Sequence, residues 1–186
     1  DTYANLQIDR VQATQALLGF ANAVKSSDNR ANFDGNDTVD AQDFAYLGLL
    51  LQGLEYRGVL LAFLYADTSR DLILDAAEIQ SAMDRFSAAF GSQDVAARFD
   101  ERDPTVGVRS FAYLLTLADQ AGQGATLRLQ TQNGNQHIQA TAVTEQFARF
   151  WAAFMAGSPE ADLTNDGRTD LADLSVFMRW MIILVG

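Results

Sequence analysis

The 186-residue chain has no cysteine, two prolines, one histidine and one lysine. The absence of cysteine excludes disulfide frameworks, thiolate zinc sites and thiol nucleophiles. A single histidine, His137, leaves no His-rich metal site and no histidine-based catalytic relay. Lys25 is the lone lysine among many arginines, a bias from which no function follows. Positive charge is scarce against 24 acidic residues, and the formal net charge is −11. Such a surface repels phosphates, which argues against nucleic-acid and anionic-membrane partners and fits a cation binder. No segment approaches the ~20 apolar residues of a bilayer span. The closing "WMIILVG" is far shorter, and Arg179 stands just before it. The chain starts at Asp1 with nothing like a signal peptide, which points to a processed, secreted product, with the cytoplasm as the alternative.

What is present reads mostly as α-helix. Leu17, Leu18, Phe20 and Val24 stripe one segment, and Leu60, Leu61, Phe63 and Leu64 another. Phe147, Phe150, Trp151 and Phe154 make an i, i+3, i+4, i+7 face, and Phe177, Met178 and Met181 continue the pattern near the end. Core packing accounts for all of these stripes. The length suits one substantial core, so residues 1–186 are read as one all-α domain.

Half of the 24 acidic residues fall into three twelve-residue windows. In "DLTNDGRTDLAD", residues 162–173, oxygen-bearing side chains occupy positions 1, 3, 5, 9 and 12 as Asp162, Thr164, Asp166, Asp170 and Asp173, with Gly167 at position 6. Ca²⁺ takes 6–8 oxygens at 2.3–2.6 Å, and alternate residues of a tight loop can aim oxygens at one centre. The template adds a backbone carbonyl at position 7, here Arg168. "NFDGNDTVDAQD" repeats it with Asn32, Asp34, Asn36, Asp40 and Asp43, and Thr38 at position 7. "DTSRDLILDAAE" repeats it with Asp67, Ser69, Asp71, Asp75 and Glu78, and Ile73 at position 7. A solvated acidic face has no reason to place its oxygens at fixed loop positions. Two further windows, 99–110 and 131–142, keep the frame and lose the ligands. Position 8 reads Val39, Leu74, Val106, Ile138 and Thr169, and the residue after position 12 reads Phe44, Ile79, Phe111, Val143 and Leu174. The windows open at 32, 67, 99, 131 and 162, a five-fold helix–loop–helix repeat.

This arrangement resembles the penta-EF-hand family, the calcium-binding modules of calpains, over nearly the whole chain. The resemblance is closest in "DTSRDLILDAAEIQSAM…ARFDERDPTVGVRSFAYLL". The first and fifth loops, with Asp at position 12 and "DFAYLGLLL" and "DLSVFMRWM" after them, look instead like bacterial dockerin loops. Dockerins carry two such loops close together, so a multi-EF-hand domain is favoured. The family implies short antiparallel β contacts between paired loops. It also implies self-association of the odd fifth hand, which would place a dimer contact on Leu174, Phe177, Met178 and Met181. The competing reading is that this helix caps its own core.

Only the fifth loop has Gly at position 6, where a left-handed backbone is wanted; Asp37 and Leu72 stand there in the others, and Leu72 is expected to be strained. On that ground the fifth loop ranks first, with the other two close together. Residues 126–141 have a rival reading as a hairpin around Asn133-Gly134. No nucleophile motif, phosphate loop or cofactor fingerprint occurs, so an enzyme is not expected. The expected function is calcium binding by two to three ions, ordering the fold or regulating contact with a protein partner. The alternative is an extracellular adhesive or structural subunit in which calcium is a permanent rivet.

Overall fold

The computed structural model describes residues 9–54, 56–122 and 140–185, and among these the only regular elements are helices. They are α1 (Arg10–Ser26), α2 (Ala41–Gly53), α3 (Arg57–Ala66), α4 (Ala76–Ser92), α5 (Val108–Gln120), α6 (Ala140–Met155) and α7 (Leu171–Val185). Short 3-10 turns occur at Asn29–Ala31, Val95–Ala97 and Pro159–Ala161. None of the described helices is long and apolar enough to cross a membrane.

Acidic residues mark helix starts, two of them inside the acidic windows. Asp9, Asp40 and Asp75 cap α1, α2 and α4, and Gln12, Asp43 and Glu78 answer them in reciprocal capping boxes. Positions 9 and 12 of windows 32–43 and 67–78 therefore serve the helix that leaves the loop. Helix ends repeat as well. The amides of Asp28, Asp94 and Ser158 bond back to the carbonyls of Ala23, Ala89 and Ala153 at 2.9, 3.1 and 2.9 Å. Each passes through a left-handed residue, Ser27, Gln93 or Gly157. Asp28, Asp94 and Ser158 then cap the 3-10 turns with their side chains. One structure thus leads into the first, third and fifth windows. The second is different: α3 runs directly into Asp67.

Helix α5 is central. Its residues are buried almost all round, and it packs against α1, α3, α4 and α7. Buried side chains from all seven helices join one apolar cluster, including Leu17, Phe44, Phe63, Met83, Phe111, Phe150 and Phe177. At the α3–α5 crossing only glycine fits. A Cβ on Gly58 would stand 2.6 Å from the Tyr113 ring and 2.7 Å from the Phe99 carbonyl. The apolar residues expected just after position 12 are inside where the structure describes them fully: Phe44, Ile79 and Phe111 are buried and Leu174 packs against the core.

Three expectations need adjustment. Among the described residues there is no strand or bridge, so the short β contacts between loops are not found. A physical reason is visible in the third window. The Gln93 side-chain amide donates to the Val106 carbonyl (3.2 Å) and accepts from the Val106 amide (3.1 Å), which satisfies the groups a partner strand would have met. Second, the residue that follows the 3-10 turn here, as Asn32 and Asp162 do elsewhere, is Arg98 rather than Phe99. The third loop therefore opens one residue earlier and has an extra residue between Asp100 and Asp103. Third, Phe177 is fully buried and stacks on Phe150 at 4.1 Å, while Leu174 and Met181 pack against the same core. Of the four residues named for a dimer contact, only Met178 is exposed. Most of window 131–142, with His137 and the hairpin alternative, lies outside the described residues.

Candidate metal centre

The three acidic loops share one hydrogen-bond plan. At position 12, one carboxylate oxygen accepts the amides of positions 2 and 3. For Asp43 these are Phe33 (2.5 Å) and Asp34 (3.2 Å); for Glu78, Thr68 (3.1 Å) and Ser69 (3.0 Å); for Asp173, Leu163 and Thr164 (both 2.8 Å). The other oxygen accepts the amide of position 9, from Asp40, Asp75 or Asp170, at 3.0, 3.4 and 2.9 Å. At position 5, the side chains of Asn36, Asp71 and Asp166 accept the amides of Thr38, Ile73 and Arg168, each at 2.9 Å. Positions 4 and 6 are left-handed in every case: Gly35 and Asp37, Arg70 and Leu72, Asn165 and Gly167.

Position 1 separates the loops. Asp67 accepts the amide of Leu72 at 3.0 Å, and Asp162 accepts those of Asp166 and Gly167 at 3.2 and 3.0 Å. Asn32 turns instead to the nearer amide of Gly35, at 2.7 Å. Position 3 varies too. Asp34 accepts the Asn36 amide (3.0 Å), while the Ser69 and Thr164 hydroxyls donate to Asp67 (3.2 Å) and Asp173 (3.0 Å). At position 7, Thr38 also donates its hydroxyl to Asn36 at 2.7 Å.

Of the described residues, Asp67, Asp71 and Glu78 form the one group of acids that offers a ligand atom apiece within 4.8 Å of each other. The second loop, not the fifth, therefore gathers its carboxylates most closely. Glu78 has one more methylene than Asp43 or Asp173 and reaches further in, and the loop accepts left-handed Leu72 to form. An ionised carboxylate has about four acceptor positions, so Asp67 and Asp71, with two donors and one, keep lone pairs for a cation, whereas Glu78 accepts three amides and the Thr68 hydroxyl and must release some of them to ligate one.

Asp43 and Asp173 have no exposed surface. Burial pushes the Asp43 carboxyl up, but amide donors from Asp40, Phe33 and Asp34 outweigh it and hold the group below the usual carboxylate range.

The third loop is built differently. Ser110, at position 12, accepts the Phe99 amide at 3.0 Å, so the frame survives without an acid. Asp103 accepts the Thr105 amide at 2.9 Å, as the other position 5 side chains do. Its buried acid, Asp100, faces two guanidiniums: Arg102 at 3.1 Å and Arg109 at 2.8 Å. Burial raises the Asp100 carboxyl, and the hydrogen bonds and charges of Arg102 and Arg109 overcome that and bring it to about 2. Arg102 and Arg109 thus neutralise the buried acid of this loop. The mixed "FDERD" run signals local pairing, but a second partner, Arg109, lies nine residues along and carries no such signal. Nor does Arg10, buried beside Tyr113 at 4.1 Å and donating to the Leu163 carbonyl across 153 residues of sequence.

The chain matches no protein-family model, no curated protein and no solved structure.

Proposed function

We propose that the chain binds calcium through EF-hand-type helix–loop–helix units, taking two to three ions at residues 32–43, 67–78 and 162–173. One observation carries this reading. Three loops at distant points of the sequence place oxygens at the same positions, use the same amide donors around position 12, and reverse at the same two residues. Helix capping by itself explains positions 9 and 12. It does not explain why positions 1 and 5 are acids in the second and fifth loops, where their like charges repel, when Asn32 and Asn36 accept local amides without charge in the first. A divalent cation relieves that repulsion, and six or more oxygens in a flexible cage suit Ca²⁺ better than the tighter octahedral shell of Mg²⁺. The position 7 ligands in this reading are the carbonyls of Thr38, Ile73 and Arg168.

The role that follows is non-catalytic. Calcium orders the loops, and contact with a protein partner is mediated by helix surfaces. Phe147, Trp151, Met155 and Met178 on α6 and α7 are exposed apolar side chains that favour such a contact. A permanent structural ion is the alternative, and reversibility distinguishes the two. The test is calorimetric titration of chelator-stripped protein with CaCl₂, alongside Asp67→Ala and Asp162→Ala, with light scattering before and after. Two or three saturable sites are expected, one disappearing in each variant. Absence of binding heat, with a thermal midpoint that calcium does not move, overturns the reading.

A further inference from the structure

Three arginines from three elements converge on one short stretch, residues 159–165, at the entrance of the fifth loop. Arg10 of α1 donates to the Leu163 carbonyl. Arg109 of α5 donates to the carbonyls of Glu160 (2.6 Å) and Pro159 (3.3 Å). Arg102 of the third loop reaches Asn165 Oδ1 at 3.4 Å. Behind them is a single buried acid, Asp100, bonded to Arg102 and Arg109. Asp100 is the one carboxylate in ion-pair contact with these guanidiniums among the described residues, while Asp103 and Glu160 line the same pocket as Arg102 and Arg109. Asp162, the first residue of the fifth loop, is largely buried and adds to the field felt by Arg102.

We propose that Arg10, Arg102 and Arg109 hold the entrance of the fifth loop in its folded shape without a cation and, by their charge, set its calcium affinity below what its four aspartates would otherwise give. The affinity half rests on the calcium reading above; the anchoring half does not. Anchoring follows from the bonds themselves. A carbonyl held by a buried guanidinium cannot swing outward unless that guanidinium loses its partner in a dry site. The affinity effect is Coulombic. A fixed positive charge within a Debye length of a divalent site repels the ion, and the repulsion fades with salt. The two effects involve different residues most strongly. Arg10 is buried and structural, whereas the Arg102 side chain is 59% exposed and can be neutralised without opening the core.

The experiment has two arms. In chelator, amide exchange is followed by NMR at Leu163, Thr164 and Gly167, with Phe33 and Asp34 of the first loop as the internal reference. Wild type is expected to protect all five. Arg10→Met is expected to lose tenfold or more at the fifth loop alone. Because Arg10→Met can fail to fold, Arg109→Lys is run beside it; it retains charge near Asp100 but not the reach to Glu160, and is expected to lose protection at Ala161 and Asp162. Unchanged exchange in both variants overturns the anchoring. In the second arm CaCl₂ is titrated into wild type, Arg102→Gln and Arg102→Lys at low and high salt. Arg102→Gln is expected to bind calcium at the fifth loop about two- to fivefold more tightly at low salt, with the gain vanishing in high salt. Arg102→Lys is expected to match wild type. Equal or weaker binding by Arg102→Gln overturns the affinity half. An Asp162→Ala titration identical to wild type removes the calcium reading of this loop and the affinity half with it, while the exchange arm still decides the anchoring.

Discussion

Arg70 and Leu72 stand with φ at 59° and 63°, a conformation that side chains with a Cβ adopt at a penalty. The left-handed region costs roughly 1–2 kcal/mol for an ordinary residue, and glycine escapes that at an entropic cost of up to about 1 kcal/mol. For exposed Arg70 little else is at stake, so Arg70→Gly is expected to raise stability by about 0.5–1 kcal/mol in urea unfolding. Leu72 is half-buried and packs against the core. Leu72→Gly gives up apolar burial of roughly 1–2 kcal/mol, so no gain is expected there. A gain at Leu72 equal to that at Arg70 would show that its packing contributes nothing. The position 6 strain was legible in the sequence from the loop template. The position 4 reversal was not, because Gly35, Arg70 and Asn165 share no residue type.

Asp100 ties the third loop to α5 and, through Arg109, to the turn Pro159–Ala161. Its carboxyl titrates at about 2 when folded against an ordinary 3.8. The folded value is depressed, so its stabilisation is complete above pH 3.8 and is lost as pH falls through about 2. The shift corresponds to roughly 2 kcal/mol for this nearly enclosed group. Asp100→Asn is therefore expected to be less stable by about 2–3 kcal/mol at pH 7, since it also leaves two guanidiniums short of a partner. It is also expected to lose less stability than wild type between pH 4 and 2. Acid titrations followed by circular dichroism check both; parallel curves would mean that Asp100 does not drive the acid response. Window 99–110 reads in sequence as a frame without ligands. Which charges fill it depends on Arg109 meeting Asp100, and the loop's extra residue becomes visible only when Arg98 is seen to follow its 3-10 turn.

All seven helices share one core, and the acidic loops lie at its helix junctions, so an ion bound at any of them stabilises the whole. On the proposed calcium reading, an ion at a hundred times its dissociation constant adds about 2.7 kcal/mol per site by linkage. The thermal midpoint is therefore expected to rise with calcium and to fall back on chelation, by less in Asp67→Ala and Asp162→Ala than in wild type. Scanning calorimetry over a calcium series measures this. A midpoint unmoved by calcium contradicts stabilising cation sites in these loops. The exposed strip of Phe147, Trp151 and Met155 stays outside that core, because α6 buries its other face through Phe150 and Ala153.

Helix content, the capping acids and the placement of oxygens in windows 32–43, 67–78 and 162–173 were fixed by local pattern, because caps and tight turns are made by residues within a few positions of one another. Core membership was legible where periodicity was strong, as for Phe20 and Phe63, or where the loop frame placed an apolar residue, as for Phe111, and less so where one apolar face exceeded what the core could cover, as at Trp151. Three matters depended on the fold. The gathering of acids proved closest at Asp67, Asp71 and Glu78, since arm length and backbone turn act together only in three dimensions. Gln93 supplies the bonds that a partner strand was expected to make. Arg10, Arg102 and Arg109 converge on residues 159–165 because α1, α5 and the third loop pack side by side there, and no local spacing records a contact made across 153 residues.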